Sequence, residues 1–190
     1  MAGSLIIKNR KEGIVVDIQK VFIHPKYNTR NLKNDIALIK LKTPIRENGK
    51  TIKYAKLYNG KDFPIGTKLQ VSGWGEMENR KASNDLKTAI VLTRDIKECK
   101  LSLPGDLDKI CAGGMKPNWE DACSGDSGGP LTLHYGPDHF IVGVVSFGPS
   151  VNCGTKGTYG VYSNVKFNLK WIKSTIGLSN SNLLVKLIKN

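Results

Sequence analysis

Residues 121–131 read Asp121-Ala-Cys-Ser-Gly-Asp-Ser-Gly-Gly-Pro-Leu131. Small residues crowd around Ser127, so the backbone is free to turn sharply and to leave a hydroxyl and its neighbouring N–H groups accessible. A serine displayed in this way suits a nucleophile, because nearby amides can donate to the oxyanion that its attack creates. Read alone, the string also fits a plain glycine-rich turn. Its flanks decide between the two.

Outward from this segment the chain is a series of short apolar runs separated by turn signals. Lys68-Leu-Gln-Val-Ser-Gly-Trp-Gly75 alternates Leu69, Val71 and Gly73 against polar partners, the period of a half-buried strand. Gly13–Ile23 is an extended run ended by His24-Pro-Lys-Tyr-Asn, and Ile36–Leu41 is closed by Thr43-Pro44. Leu131–Leu133, Phe140–Ser146 and Gly160–Val165 add three more. Strands at this spacing point to a sandwich or a barrel. Only Lys166–Ile176 has helical spacing, with Phe167, Trp171, Ile172 and Thr175 or Ile176 on one face and Gly177 as the C-cap. Leu183, Leu184, Leu187 and Ile188 repeat the pattern in the tail Leu178–Asn190, which is too short to span a bilayer. Docking on the body and remaining mobile are both open to it.

The chain has 190 residues, 39% hydrophobic and 24% charged, the make-up of one soluble globular domain. No stretch approaches the ~20 apolar residues of a membrane span, and Leu5-Ile6-Ile7 is too brief for a signal-peptide core. Membrane, fibrous and disordered classes are excluded. The net charge of +13 is uneven: residues 1–53 contribute +8, residues 54–165 sum to zero, and residues 166–190 contribute +5. A concentrated basic face would bind polyanions such as heparin-like sugars, whereas scattered lysines make an ordinary solvated surface. No Walker loop, zinc-finger spacing or aromatic RNA-binding signature accompanies them. Cysteines stand at 99, 111, 123 and 153, with no C-x-x-C pair. An even count at wide spacing suits two disulfides in an oxidising compartment, with the pairing left open.

Beyond Gly125–Pro130, further segments carry a family resemblance: Asn34-Asp-Ile-Ala-Leu-Ile-Lys-Leu41, Val71-Ser-Gly-Trp-Gly75, Ile110-Cys-Ala-Gly-Gly114, Val145-Ser-Phe-Gly148, Gly160-Val-Tyr-Ser-Asn-Val165 and Trp171-Ile172. In this order they resemble the chymotrypsin/trypsin family of serine proteases, from about Ala2 to Ile176. The resemblance implies an all-β fold, a double β-barrel with its first barrel incomplete, plus a C-terminal helix. Residues 1–60 would be the remnant of the first barrel and residues 61–165 the second barrel. Residues 166–176 would be the helix and 177–190 a basic amphipathic tail.

Carried over by the same resemblance, Ser127 is the nucleophile and Asp35 orients the catalytic histidine. The N–H groups of Gly125 and Ser127 form the oxyanion hole. Asp126 matches the aspartate that pairs with a newly cut N-terminal ammonium. Asp121 matches the floor of the primary specificity pocket, and Ser146, Gly148 and Gly160 line the substrate site, the glycines as walls. A buried carboxylate behind two glycines suits a long cationic side chain, so the implied substrates are proteins or peptides with Arg or Lys. Cys99–Cys111 and Cys123–Cys153 are the implied disulfides, worth roughly 3 kcal/mol each in the chain-entropy model. Leu69 and Leu133 stand where many relatives have a further disulfide. A secreted protein without a cofactor, open to serpin- or Kunitz-type inhibitors, completes the expectation.

One departure is large. The family's catalytic histidine lies in a Thr-Ala-Ala-His-Cys segment that does not occur here, and neither does the activation sequence, a basic residue followed by Ile-Val-Gly-Gly. Gly13-Ile-Val-Val16 is no substitute. His24 lies in a His-Pro-x-Tyr turn, and His134 and His139 follow the nucleophile loop; all three read as surface or satisfied histidines. Ala2–Ile6 aligns with a later strand of the first barrel, so about a quarter of the family domain is expected to be missing, leaving open edges and exposed apolar faces. Ser127 then lacks its general base and Asp126 its ammonium partner, and the chain as given is expected to be inactive. Lys8–Gly13 lacks the carboxylates of a calcium loop, and no metal is expected. Three readings follow: a trypsin-like endopeptidase given without its N-terminal part, a non-catalytic protease homologue that binds or regulates, and a basic anion-binding protein on the same fold. The intact Asp35, Ser127 and Asp121 favour the first.

Overall fold

A computed structural model describes residues 1–9, 11–99, 107–115, 117, 119–149 and 153–177. The tail Leu178–Asn190 lies outside the described residues. Nine strands and one helix run in the order β1 (Ile18–Ile23), β2 (Ala37–Leu41), β3 (Lys56–Leu57), β4 (Lys68–Gly73), β5 (Lys87–Thr93), β6 (Lys109–Gly113), β7 (Pro130–Tyr135), β8 (Asp138–Phe147), β9 (Gly160–Asn164) and α1 (Val165–Ile176). These elements, and a 3-10 turn at Ile96–Cys99, are those of the described residues.

β8, β7, β4, β5, β6 and β9 form consecutive neighbours, and β9 pairs back onto β8, so six strands close into a barrel with β3 added in parallel on β8. Closure removes the free edges that an open sheet would present. Alternation along each strand supplies the interior: Leu69 and Val71 from β4, Val91 from β5, Ala112 from β6, Leu131 from β7, Val142 and Val145 from β8 and Tyr162 from β9 make one buried cluster. Leu133 packs against the same cluster that contains Leu69. Disulfide Cys99–Cys111 ties the 3-10 turn to β6, and Cys123–Cys153 joins the loop before β7 to the loop before β9.

α1 starts where Asn164 accepts a hydrogen bond from the Phe167 N–H and ends at Gly177, whose φ of 72° only glycine adopts at no cost. Its buried face is Val165, Leu169 and Ile172, packed against Ile36 and Leu57. Of the face expected from Phe167, Ile172 is buried and Trp171 and Ile176 pack against the same cluster, but Phe167 itself is 49% exposed. With the helix beginning at Val165, the i, i+4, i+7 series from that residue faces the barrel, and Phe167 is turned away from it.

The N-terminal part is thin. β1 and β2 form a two-stranded ribbon, and residues 1–17 add isolated bridges, Ala2 to Ile14 and Ile6 to Asp85, in place of the strand expected over Ala2–Ile6. Ile18, Val21, Ile23 and Ile39 are 53%, 49%, 64% and 54% exposed. Register pairs Val21 with Ile39 and Ile23 with Ala37, so these side chains share one face of the ribbon, and that face is uncovered among the described residues. The Leu5 carbonyl accepts from Trp74 Nε1 (3.0 Å) and from the Leu86 N–H (2.7 Å), which holds the start of the chain against the barrel.

Candidate active site

Between Cys123 and Pro130 the chain makes two tight turns, closed by Asp126 N–H to Cys123 O (3.0 Å) and Gly129 N–H to Asp126 O (2.8 Å). Gly125 and Gly128 hold φ of 95° and 82°, a region closed to other residues without strain, which is why the string is built from glycine. Ser127 sits exposed at the crest. Among the described residues neither its N–H nor that of Gly125 donates to a protein acceptor, so both are free to serve an incoming oxygen.

The loop is fixed from below by Asp126. Its carboxylate accepts from the Gly75 N–H (2.8 Å) and the Cys123 N–H (2.9 Å). Side chains at positions 73 and 75 would collide with that carboxylate, which explains the glycines of the Gly-Trp-Gly run. No ion pair to Asp126 occurs among the described residues. Beside it lies a cavity of about 600 Å³, bordered by Val71–Gly73, Gly75, Glu76, Lys87–Ala89, Asp121 and Asp126.

Asp35 reaches the same region from a distant part of the chain. Gly128 N–H donates to Val145 O (2.9 Å) and Val145 N–H to Gly129 O (2.9 Å), stitching the nucleophile loop to β8. The next residue, Ser146, donates its hydroxyl to Asp35 Oδ2 at 2.6 Å. Ser163 Oγ donates to the Asp35 carbonyl, also at 2.6 Å, and Asn34, with φ of 52°, donates its N–H to buried Asp108 at 2.9 Å. Lys109 Nζ completes the anchorage at Leu32 O (2.6 Å). Ser127, Ser146 and Asp35 are thereby gathered at one end of β8, although Asp35 and Ser146 are 111 positions apart.

Asp121 lies behind β9. Its carboxylate accepts from the Gly160 N–H (2.9 Å), the Ala122 N–H (2.8 Å) and the Tyr162 hydroxyl (3.1 Å). Burial pushes its carboxyl up to about 6, with Asp126 adding a smaller push, against the lowering effect of the three donors. Burial and the neighbouring Asp121 raise the Tyr162 phenol well above its usual range, so it remains a donor. Tyr162 was read only as part of a motif; its place follows from period-2 alternation, which sets residues 160 and 162 on the same side of β9. A methyl built on Gly148 would stand 3.5 Å from the Gly160 Cα, and one on Gly160 would stand 3.1 Å from Asp121 Oδ1. The first distance is that of neighbours on paired strands, since Phe147 lies opposite Val161 in the β8–β9 ladder, and the second shows that a side chain at 160 would crowd the Asp121 carboxylate.

None of the histidines joins this group. His24 is 9% exposed, accepts from the Lys26 N–H at Nδ1 (3.1 Å) and packs its ring 4.7 Å from that of Trp171. His134 and His139 face each other across the β7–β8 hairpin. The described residues hold no cluster of three or more metal-ligating side chains, and no helix among them is long and apolar enough to cross a membrane.

The model of the Trypsin family matches residues 1–172. CLIP domain-containing serine protease B4 of Anopheles gambiae is 34% identical over 180 residues, covering 86% of this chain and 47% of that protein. Trypsin 5G1 of Aedes aegypti is 37% identical over 174 residues, covering 87% of this chain and 62% of that protein. Inactive CLIP domain-containing serine protease A3, also of Aedes aegypti, is 34% identical over 174 residues, covering 85% and 36%. The chain thus spans less than two thirds of the length of each of these relatives. With the family model covering nearly the whole chain, and with the serine loop and its barrel in place, this chain belongs to the trypsin family of serine proteases.

Proposed function

We propose that the chain is part of a secreted endopeptidase that cuts after Arg or Lys. The observation that carries this reading is the Asp121 carboxylate, buried behind Gly148 and Gly160 with only neutral donors around it. A carboxylate in such a place is costly to leave ionised, and a guanidinium or ammonium from a substrate would neutralise it. Ser127 Oγ would attack the scissile carbonyl, the N–H groups of Gly125 and Ser127 would receive the oxyanion, and Asp35 would orient the histidine that takes the serine proton. That histidine would come from sequence outside the given chain. A cation reaching Asp126 would complete the loop from below, and the cavity beside Asp126 has room for an N-terminal segment that bears an ammonium.

The test compares the chain as given with a version extended by an upstream Ala-Ala-His-Cys segment, on Arg-amide and Phe-amide substrates. The given chain is expected to show negligible turnover. The extended one is expected to prefer Arg by several powers of ten, as sites that leave a polar group unpaired do, and to lose that preference in Asp121→Ser. Comparable cleavage after Phe and Arg would overturn the pocket assignment. The second reading, a non-catalytic homologue, is favoured by the separation of all three histidines from Ser127 and Asp35, and by a relative whose printed name begins with "Inactive"; the His24 backbone does pair with Ile36 beside Asp35, but its ring is turned onto Trp171. It would stand if the extended protein also proved inactive.

A further inference from the structure

The β7–β8 hairpin carries two histidines that the protease reading leaves without a role. Register places Tyr135 opposite Asp138 and His134 opposite His139, around the turn Gly136-Pro137. Directly opposed residues point to the same side of a hairpin. The two imidazoles stand with centroids 4.4 Å apart and planes at 80°, and both side chains are exposed.

Thr132, two residues before His134 on the same strand, settles how the first ring is held. Its hydroxyl hydrogen goes to the Gln70 carbonyl (3.1 Å), which leaves the Thr132 oxygen as an acceptor for His134 Nε2 at 3.1 Å. With the Thr132 hydrogen given to Gln70, the tautomer that completes this contact carries its proton on Nε2 and leaves the Nδ1 lone pair free. This is how metal-binding histidines are held, with one nitrogen donating to a fixed oxygen and the other left to ligate. The surrounding charges are engaged elsewhere: Lys56 binds Asp138 at 2.6 Å, and Lys53 donates to the Pro137 carbonyl at 2.6 Å.

We propose that His134 and His139 form a binding site for a divalent transition-metal ion at the β7–β8 hairpin, with Thr132 as the residue that orients His134. Two imidazoles and no carboxylate select Cu²⁺, Ni²⁺ and Zn²⁺ over Mg²⁺ and Ca²⁺, with Cu²⁺ bound tightest. With no third His, Cys, Asp or Glu completing the set among the described residues, the ion keeps open positions for water or an external ligand. A bound ion would clamp β7 to β8, the two strands that lead from the nucleophile loop to Ser146. His24 has no part in it, because its Nδ1 is already an acceptor and its ring is packed on Trp171.

The experiment uses the chelator-treated 190-residue chain, titrated with Cu²⁺, Ni²⁺, Zn²⁺, Mg²⁺ and Ca²⁺, with binding and histidine ring NMR signals as readouts. Saturable binding is expected in the order Cu²⁺, Ni²⁺, Zn²⁺, with none for Mg²⁺ or Ca²⁺. Substoichiometric Cu²⁺ should broaden the ring signals of His134 and His139 and leave those of His24 sharp. His134→Gln and His139→Gln should each weaken Cu²⁺ binding by at least about tenfold, and Thr132→Val by about tenfold with no change in the His24 signals. Absence of saturable Cu²⁺ binding overturns the proposal. So does binding that neither histidine substitution weakens, which would assign the ion to the N-terminal amine or to His24.

Discussion

Asp121 gives the sharpest test of the packing behind β9. In the folded chain its carboxyl titrates at about 6, while the unfolded value is 3.8. Between those values the folded state holds a proton that the unfolded state has released, so stability falls as pH rises through this window. A displacement of this size corresponds to about 3 kcal/mol between pH 3.5 and pH 7, at about 1.4 kcal/mol per pH unit. Asp121→Asn removes the titration. It keeps one carbonyl oxygen for the Ala122 and Tyr162 donors but turns an amide N–H₂ towards the Gly160 N–H, so its absolute stability is expected to be lower at acid pH. The readout is therefore the slope. Urea unfolding followed by tryptophan fluorescence at half-unit steps from pH 3.5 to 7.5 should show the wild-type chain losing about 3 kcal/mol relative to Asp121→Asn across the window. Parallel stability curves for the two proteins would refute the assignment of a buried, proton-holding carboxyl at this position.

Three further outcomes follow from the same contacts. Leu131→Ala, at a side chain with no exposed surface in the barrel core, should cost 2–5 kcal/mol (roughly, by analogy with other buried leucines), whereas Ile39→Ala on the open ribbon face should stay within about 0.5 kcal/mol in urea titrations. Asp126→Ala strips the acceptor from the N–H groups of Gly75 and Cys123, and hydrogen exchange at those two amides should accelerate with a stability loss of about 1–3 kcal/mol. Ser146→Ala leaves Asp35 Oδ2 without its 2.6 Å donor and should cost a similar, roughly 1–3 kcal/mol, amount measured by thermal unfolding.

Much of the barrel is legible in the primary structure because its signals are local. Leu69 and Val71 alternate with polar neighbours, and turn residues bracket Phe140–Ser146 and Gly160–Val165, so strands β4, β8 and β9 are readable without any partner. β5 carries a strand signal of its own in the β-branched run Thr88-Ala-Ile-Val-Leu-Thr93, but its place between β4 and β6 is set only by the closed barrel. The helix is visible at 3.6 spacing, but the centre of its buried face is set by the surface it meets: Val165, Leu169 and Ile172 pack on Ile36 and Leu57, which leaves Phe167 in solvent.

The serine loop, the family and the glycines around Ser127 are legible in the residues alone, because a chain that must adopt φ near 90° beside a carboxylate admits almost no other residue. What each polar group faces is settled by the packing of distant segments. The bond from Ser146 to Asp35, and the Gly160 and Tyr162 donors on Asp121 with its carboxyl held near 6, join residues distant in the chain. The face-to-face placement of His134 and His139 is of the same kind, since it depends on the register of one hairpin, and a shift of one residue would send them to opposite sides. Periodicity reports which side of a strand a residue takes. Which partner waits there is fixed by how the strands close into a barrel, and that closure is a property of the whole chain.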